Sequence, residues 1–170
     1  DDEQMILELT SMVLDRRGFE VQTVDNATDS YEIIERDRPA LVLLDYMMPR
    51  VNGLDALKEI RARFPDTYVI MFTGKGSEEV AVELMKAGAS DYILKPFSNA
   101  KLVERIENVL RVRSIEMRNR ELVHEQKKLL DEIERWNREL EQRVAQKTKE
   151  LEHAHHEILL TEKLASLGHL

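Results

Sequence analysis

Two kinds of apolar pattern alternate along the N-terminal part of the chain. Stretches with apolar residues at helical spacing lie at about 3–17, 28–36, 53–63 and 77–87. Short continuous apolar runs of strand length lie between them, at 40–44, 68–72 and 91–94, with a weaker candidate at 20–24. Continuous apolar runs are typical of parallel strands that are buried on both faces. The alternation therefore predicts an α/β fold, with helices covering both sides of a parallel sheet.

The remainder of the chain lacks the residues that usually end helices. All four prolines lie at or before Pro96, and neither Pro nor Gly occurs from Phe97 to Leu167. A compact domain needs turns, and turns usually contain these residues. We therefore expect one very long helix or a pair of helices in this part of the chain.

Apolar residues in this segment recur at alternating spacings of three and four, which is the heptad pattern of a coiled coil. Polar residues occupy the core positions Asn119, Gln126 and Lys147. Two consecutive steps of four around Leu140 form a stutter, which locally unwinds a supercoil. The pattern predicts a parallel homodimer, with a single exposed helix or a helical hairpin as alternatives. The predicted seam comprises Ile115, Leu122, Leu129, Ile133, Trp136, Leu140, Val144, Leu151 and Ile158.

Composition narrows the possible classes of protein. The 170 residues include 33 acidic and 25 basic side chains, for a net charge of −8, and no Cys. An acidic chain has no general attraction to nucleic acids, so we expect no nucleic-acid partner. The lack of Cys excludes disulfides and thiolate metal sites and fits a cytoplasmic location. No apolar run approaches the length that spans a membrane, so we expect no membrane span.

Polar residues that suit phosphate chemistry follow the predicted strands. Asp45, Thr73 and Lys95 each stand at the carboxyl end of a different strand, and Asp1-Asp2-Glu3 opens the first helix. Taken singly, an Asp after a strand often begins a turn, and an acidic run often caps a helix. Ligands of open α/β sheets, however, bind beyond these strand ends. Carboxylates suit Mg²⁺, and an ammonium and a hydroxyl suit phosphoryl oxygens, so the joint placement predicts a site for both.

Four short segments share the pattern of one known family: Asp1-Asp2-Glu3, Leu43–Pro49, Phe72-Thr73-Gly74 and Tyr92–Phe97. In this order they resemble the receiver domain of two-component response regulators, over about residues 1–112. The resemblance implies a doubly wound, flavodoxin-like fold with five parallel strands. It places the first of these strands directly before the acidic run, so we expect that strand to be missing from the sequence.

The resemblance also implies a role for each residue of the predicted site. Asp45 would be the phospho-acceptor, and Lys95 would pair with the phosphoryl group. Mg²⁺ would be bound by Asp2, Asp45 and the backbone carbonyl of Met47, with Asp1 acting through a water molecule. The phosphoryl donor would be a phosphohistidine protein or a small phosphodonor.

A conformational switch is implied as well. Thr73 would move its hydroxyl to the phosphoryl oxygen, and the ring of Tyr92 would turn inward. The peptide bond before Pro96 would be cis.

The C-terminal part of the chain resembles elements of sensor kinases. Residues 132–152 are similar to the signalling coiled coils that precede histidine-kinase catalytic modules, and residues 161–170 are similar to the start of a kinase dimerisation helix. These resemblances predict a receiver at 1–112, a coiled coil at 113–160 and a truncated dimerisation helix at 161–170.

The expected function is Mg²⁺-dependent phosphoryl transfer to Asp45, passed through a dimeric coiled coil to a histidine-kinase module outside this sequence. The sequence contains no nucleotide-binding segment, so we expect no ATP-dependent kinase activity from it. Two alternatives stay open. The chain could be a dimerisation scaffold with a vestigial receiver, or a stand-alone response regulator with a coiled-coil output.

Overall fold

The structure is a computed structural model that describes residues 4–25, 27–48, 51–74 and 78–168. Within these ranges, helices connect three strands in the predicted alternation. The elements in chain order are α1 (Gln4–Asp15), α2 (Ala27–Asp37), β1 (Leu41–Asp45), α3 (Gly53–Arg63), β2 (Tyr68–Thr73), α4 (Glu78–Lys86), β3 (Asp91–Leu94) and α5 (Asn99–Leu167).

Strand β2 is the central strand of the sheet that the described residues form. It pairs in parallel with β1 on one side and β3 on the other, in a register that places Asp45 beside Phe72 and Thr73 beside Leu94. Every residue of β2 from Val69 to Thr73 is buried, which explains its continuous apolar run. The three stronger strand predictions and the parallel sheet are therefore confirmed.

The two faces of the sheet belong to two separate cores, because successive residues of a strand point to opposite faces. Val69 and Met71 of β2 lie in one core, and Ile70 and Phe72 lie in the other. Helices α2, α3 and α4 complete the first core through Ile34, Leu54, Ala56, Leu57, Ile60 and Leu84. Helices α1 and α5 complete the second core through Leu14, Leu102, Val103, Ile106 and Val109.

The weaker strand prediction, at residues 20–24, is wrong. These residues adopt no strand, although they lie beside the sheet. Val21 and Val24 border a cavity of about 690 Å³ whose other lining includes Leu41 and Leu43 of β1. A strand forms only where a neighbour can accept and donate backbone hydrogen bonds. In the described sheet β1 pairs with β2 and not with this segment.

The last helix, α5, is one continuous helix of 69 residues, as the absence of Gly and Pro predicted. At about 1.5 Å per residue it is on the order of 100 Å long. The chain divides into two compact units, Asp1–Met117 and Arg118–Leu170, and α5 contributes to both. In the second unit, every described residue is exposed. No helix in the described ranges has a stretch long and apolar enough to cross a membrane.

Candidate functional site at the carboxyl edge of the sheet

The predicted site residues that the structure describes lie at one edge of the sheet. Asp45 ends β1, Thr73 ends β2, and Lys95 directly follows the last residue of β3. Because the strands are parallel, all three positions are at their carboxyl ends. This edge is where open α/β sheets bind their ligands.

Lys95 and Asp45 form an ion pair across the end of the sheet. The Lys95 Nζ donates to Oδ2 of Asp45 at 2.6 Å, and the two side chains are only 16% and 4% exposed. Strand β2 lies between them, so their strands are about 10 Å apart. The four-carbon stem of lysine is long enough to cross that gap. The pair therefore places a cation beside a buried carboxylate, and burial makes their attraction stronger than it would be in water.

The strand register explains why these two side chains meet. Asp45 lies beside Phe72, and Phe72 lies beside Ile93 on β3. Side chains at paired positions share a face of the sheet, and so do side chains two residues apart. Lys95 is two residues beyond Ile93, so Lys95 and Asp45 lie on the same face.

The second carboxylate oxygen of Asp45 is bound by the loop that follows β1. The backbone N–H of Met47 donates to Oδ1 of Asp45 at 3.2 Å. The carbonyl of Tyr46 accepts a hydrogen bond from the N–H of Gly53, the first residue of α3, at 3.2 Å. Both oxygens of Asp45 are thereby oriented, one by a side chain and the other by the backbone.

Gly53 is a site residue that the sequence reasoning missed. A Cβ atom at this position would lie 2.1 Å from the backbone oxygen of Asp45 and 2.7 Å from Cα of Tyr46. No real Cβ approaches backbone atoms so closely, so only glycine lets α3 begin against the end of β1. The sequence signal for this role was a glycine at the start of a predicted helix. Gly53 directly follows the N-cap residue Asn52, whose side chain accepts a hydrogen bond from the N–H of Leu54.

The predicted switch residues lie on the other face of the sheet. Tyr92 is beside Met71, and Thr73 is two residues beyond Met71, so the side chains of Thr73 and Tyr92 share a face. Thr73 is 1% exposed, whereas Tyr92 is partly buried against the core that contains Leu84. The structure brings the two residues to neighbouring strands, and their switching role stays a prediction.

The connection after β3 has the geometry that the resemblance implied. The peptide bond between Lys95 and Pro96 is cis. The N–H of Lys95 donates to the carbonyl of Thr73 at 2.8 Å, and the ring of Phe97 stacks on that of Phe72 with centroids 4.8 Å apart. These contacts hold the backbone of Lys95 against the end of β2.

The predicted metal ligands fall partly outside the described residues. Asp1 and Asp2 lie there, whereas Asp45 and Met47 are described. The described part of the chain contains no cluster of three metal-binding side chains. The donors that it does contain, the buried carboxylate of Asp45 and the backbone carbonyl of Met47 two residues later, are hard oxygen ligands of the kind that Mg²⁺ prefers. The described residues are therefore compatible with Mg²⁺.

A parallel sheet covered by helices on both faces, with a lysine-bound carboxylate at its carboxyl edge, is typical of one class of protein, the phosphoryl-accepting receivers of two-component signalling. Residues 1–107 match the family described as "Response regulator receiver domain". The chain belongs to this family. The predicted receiver α/β fold with a parallel sheet is confirmed, and the described residues form three of the five expected strands.

Proteins of known sequence and structure share this part of the chain. The transcriptional regulatory protein SrrA of Staphylococcus aureus is 39% identical over 111 residues, which are 65% of this chain and 46% of SrrA. This chain thus spans less than half the length of that relative.

Two crystal structures illustrate the structural likeness. A CheY-like receiver domain protein from Methanospirillum hungatei JF-1 has a TM-score of 0.65 at 33% identity and covers 68% of this chain and 93% of its own. The receiver domain of NtrX from Brucella abortus has a TM-score of 0.62 at 35% identity, with coverages of 65% and 94%. Both structures align with about two thirds of this chain.

Proposed function

We propose that Asp45 is the phospho-acceptor of this receiver and that its state is passed through a dimeric α5 to a histidine-kinase module. The observation that carries the first part is the buried ion pair between Asp45 and Lys95 at 2.6 Å. A carboxylate can attack a phosphoryl dianion only if their repulsion is offset, and Lys95 supplies a positive charge within reach of both.

The proposed reaction is an in-line phosphoryl transfer to the carboxylate of Asp45. A carboxylate oxygen forms a bond to phosphorus while the bond between phosphorus and the donor breaks, and the donor atom leaves with the electron pair. With a phosphohistidine donor the leaving atom is a ring nitrogen, and with acetyl phosphate it is the acetate oxygen. Lys95 then pairs with the new phosphoryl oxygens, which keep the negative charge close to its ammonium group.

The Mg²⁺ ion would be held by Asp45, Asp2 and the backbone carbonyl of Met47, with Asp1 acting through water. When bound, it neutralises charge on the transferred phosphoryl group. The chain's own contribution is to orient Asp45, through Lys95 on one oxygen and the N–H of Met47 on the other.

The proposed output runs through α5. The seam residues are between 44% and 69% exposed, and this helix continues without interruption from the receiver to Leu167. An apolar stripe of this length at heptad spacing fits a second copy of the same helix. We therefore propose the organisation 1–112, 113–160 and 161–170, in which repacking at Thr73 and Tyr92 changes packing or register at the start of the seam.

The test of the acceptor is labelling of the full chain with acetyl phosphate, with and without Mg²⁺, followed by intact-mass measurement. We expect one phosphoryl group on the wild-type chain with Mg²⁺, and none on Asp45→Asn. The matched control is Asp55→Asn, which removes an exposed carboxylate from the first turn of α3. Full labelling of Asp45→Asn at another residue would contradict the assignment, and absence of labelling in the wild type would favour a scaffold with a vestigial receiver.

The test of the output is cross-linking between cysteines introduced at Leu122 and Leu129, with and without the phosphodonor. We expect the cross-linking pattern to change when Asp45 is phosphorylated. Identical patterns in the two states would reject the coupling, even if the chain is dimeric.

A further inference from the structure

Helix α5 has a second, polar attachment to the receiver beyond the part of the helix that is buried. Val109 is its last buried residue. Further along, the carboxylate of Glu116 accepts a hydrogen bond from the hydroxyl of Tyr68. Nε of Arg113 donates to the backbone carbonyl of Asp66 at 3.3 Å. The hydroxyl of Tyr68 and the carbonyl of Asp66 both belong to the receiver. They lie at the amino end of β2, opposite the edge that bears Asp45.

These contacts continue the stripe of the helix that packs on the sheet. Leu102, Ile106 and Val109 are spaced by four and three residues, and Arg113 and Glu116 extend the same spacing. Residues at this spacing share one face of a helix. The stripe therefore changes from apolar to polar at the point where it passes the edge of the core and meets a hydroxyl and a carbonyl.

The predicted seam begins on a different face of the same turns. At about 100° per residue, the first seam residue, Ile115, lies roughly 140° around the helix from the centre of the stripe that faces the receiver, and Val112, one turn before it, lies roughly 80° from that centre. Both are exposed, at 49% and 55%. The turns around residues 112–116 can therefore bind the receiver and a second helix at the same time.

We propose that Tyr68, Arg113 and Glu116, with the carbonyl of Asp66, form a polar clamp. The clamp fixes the first turns of the seam to the amino end of β2, and it transmits movement of the sheet to the coiled coil. The transmitting role rests on the proposed function, whereas the attachment itself does not.

The attachment is tested by hydrogen exchange of the backbone amides at 111–118 in the full chain. Tyr68→Phe removes only the donor hydroxyl, and Arg113→Gln removes the bond to Asp66. We expect each change to speed exchange in this stretch about fivefold, the factor that corresponds to one ordinary hydrogen bond. Tyr31→Phe and Arg135→Gln are matched controls, since they make the same chemical changes outside this stretch, and we expect exchange at 111–118 to stay unchanged in both.

The transmitting role is tested by phosphodonor-dependent cross-linking at position 122 in the same variants. We expect Tyr68→Phe and Arg113→Gln to be labelled at Asp45 as fast as the wild type but to lose the change in cross-linking. Unchanged exchange in both variants would overturn the clamp. A retained change in cross-linking despite faster exchange would overturn its transmitting role. If cross-linking of the wild-type chain does not change with the phosphodonor, the proposed function is refuted instead. The hydrogen-exchange result then tests the attachment alone.

Discussion

The two ends of α5 have the same secondary structure but are stabilised differently. Its first turns bury Leu102, Val103, Ile106 and Val109 against the sheet, whereas every described residue from 118 onward is exposed. In the exposed part, ion pairs one turn apart, such as Arg143 with Glu139 at 2.6 Å, stabilise the helix locally. Each such pair contributes only about 0.3–0.5 kcal/mol. The receiver therefore has its core within one chain, whereas the predicted seam is exposed in the single chain.

A leucine-to-alanine substitution should have different effects on receiver stability in the two regions. The loss of stability from the buried position is the largest effect we expect. Leu57 is fully buried in α3, so Leu57→Ala should lower the free energy of unfolding of the receiver by about 2–5 kcal/mol through lost burial and a residual cavity. Leu129 is 52% exposed, so Leu129→Ala should leave the receiver within about 0.5 kcal/mol of the wild type. Denaturant unfolding of the receiver measures both values.

The Leu129→Ala chain should instead weaken association of the helices. Sedimentation equilibrium over a range of chain concentrations measures this, and Leu57→Ala, assayed under conditions where the receiver is folded, is the control. If Leu129→Ala leaves the association constant unchanged, the seam is not the dimer interface.

A smaller effect, confined to the receiver, is expected from Gly53→Ala. Its Cβ would collide with the backbone of Asp45 and Tyr46, so the substitution should cost about 1–3 kcal/mol of receiver stability and slow labelling at Asp45. Gly74→Ala is the matched control near the same edge, since no described atom outside its chain neighbours lies within 4 Å of the added Cβ. Equal stability and labelling rates in the two variants would show that the close approach at Gly53 is unimportant.

The smallest effect concerns the pH dependence of the receiver. Burial raises the pKa of Tyr31 above its usual value, Glu59 and Asp55 raise it further, and Arg63 lowers it. Because the folded-state pKa is the higher one, this group's stabilisation is fully present below pH 10 and is lost as the pH rises through the folded-state pKa. Ultraviolet titration of the wild type and Tyr31→Phe isolates this phenol among the four tyrosines. Ionisation at the usual pKa would contradict the assignment.

Local pattern predicted most of the fold because its strands are buried on both faces. Continuous apolar runs identified β1, β2 and β3, and the absence of Gly and Pro identified α5. The same reasoning failed at residues 20–24, because a strand also needs a neighbour within backbone hydrogen-bonding distance, and the local sequence of one segment does not determine that distance. It missed Gly53 for a similar reason, since the close approach to Asp45 arises only when the loop after β1 folds back.

The amino-acid sequence by itself determined the order of the elements, the continuity of α5 and the placement of Asp45, Thr73 and Lys95 at strand ends, because these depend on local spacing and on residue type. Only the tertiary structure decided that Lys95 crosses β2 to reach Asp45, and that Tyr68 meets Glu116 at the opposite end of the sheet. Both contacts join residues that are about fifty positions apart in the sequence. They exist because the register of the strands and the direction of α5 bring those residues together, which no local pattern encodes.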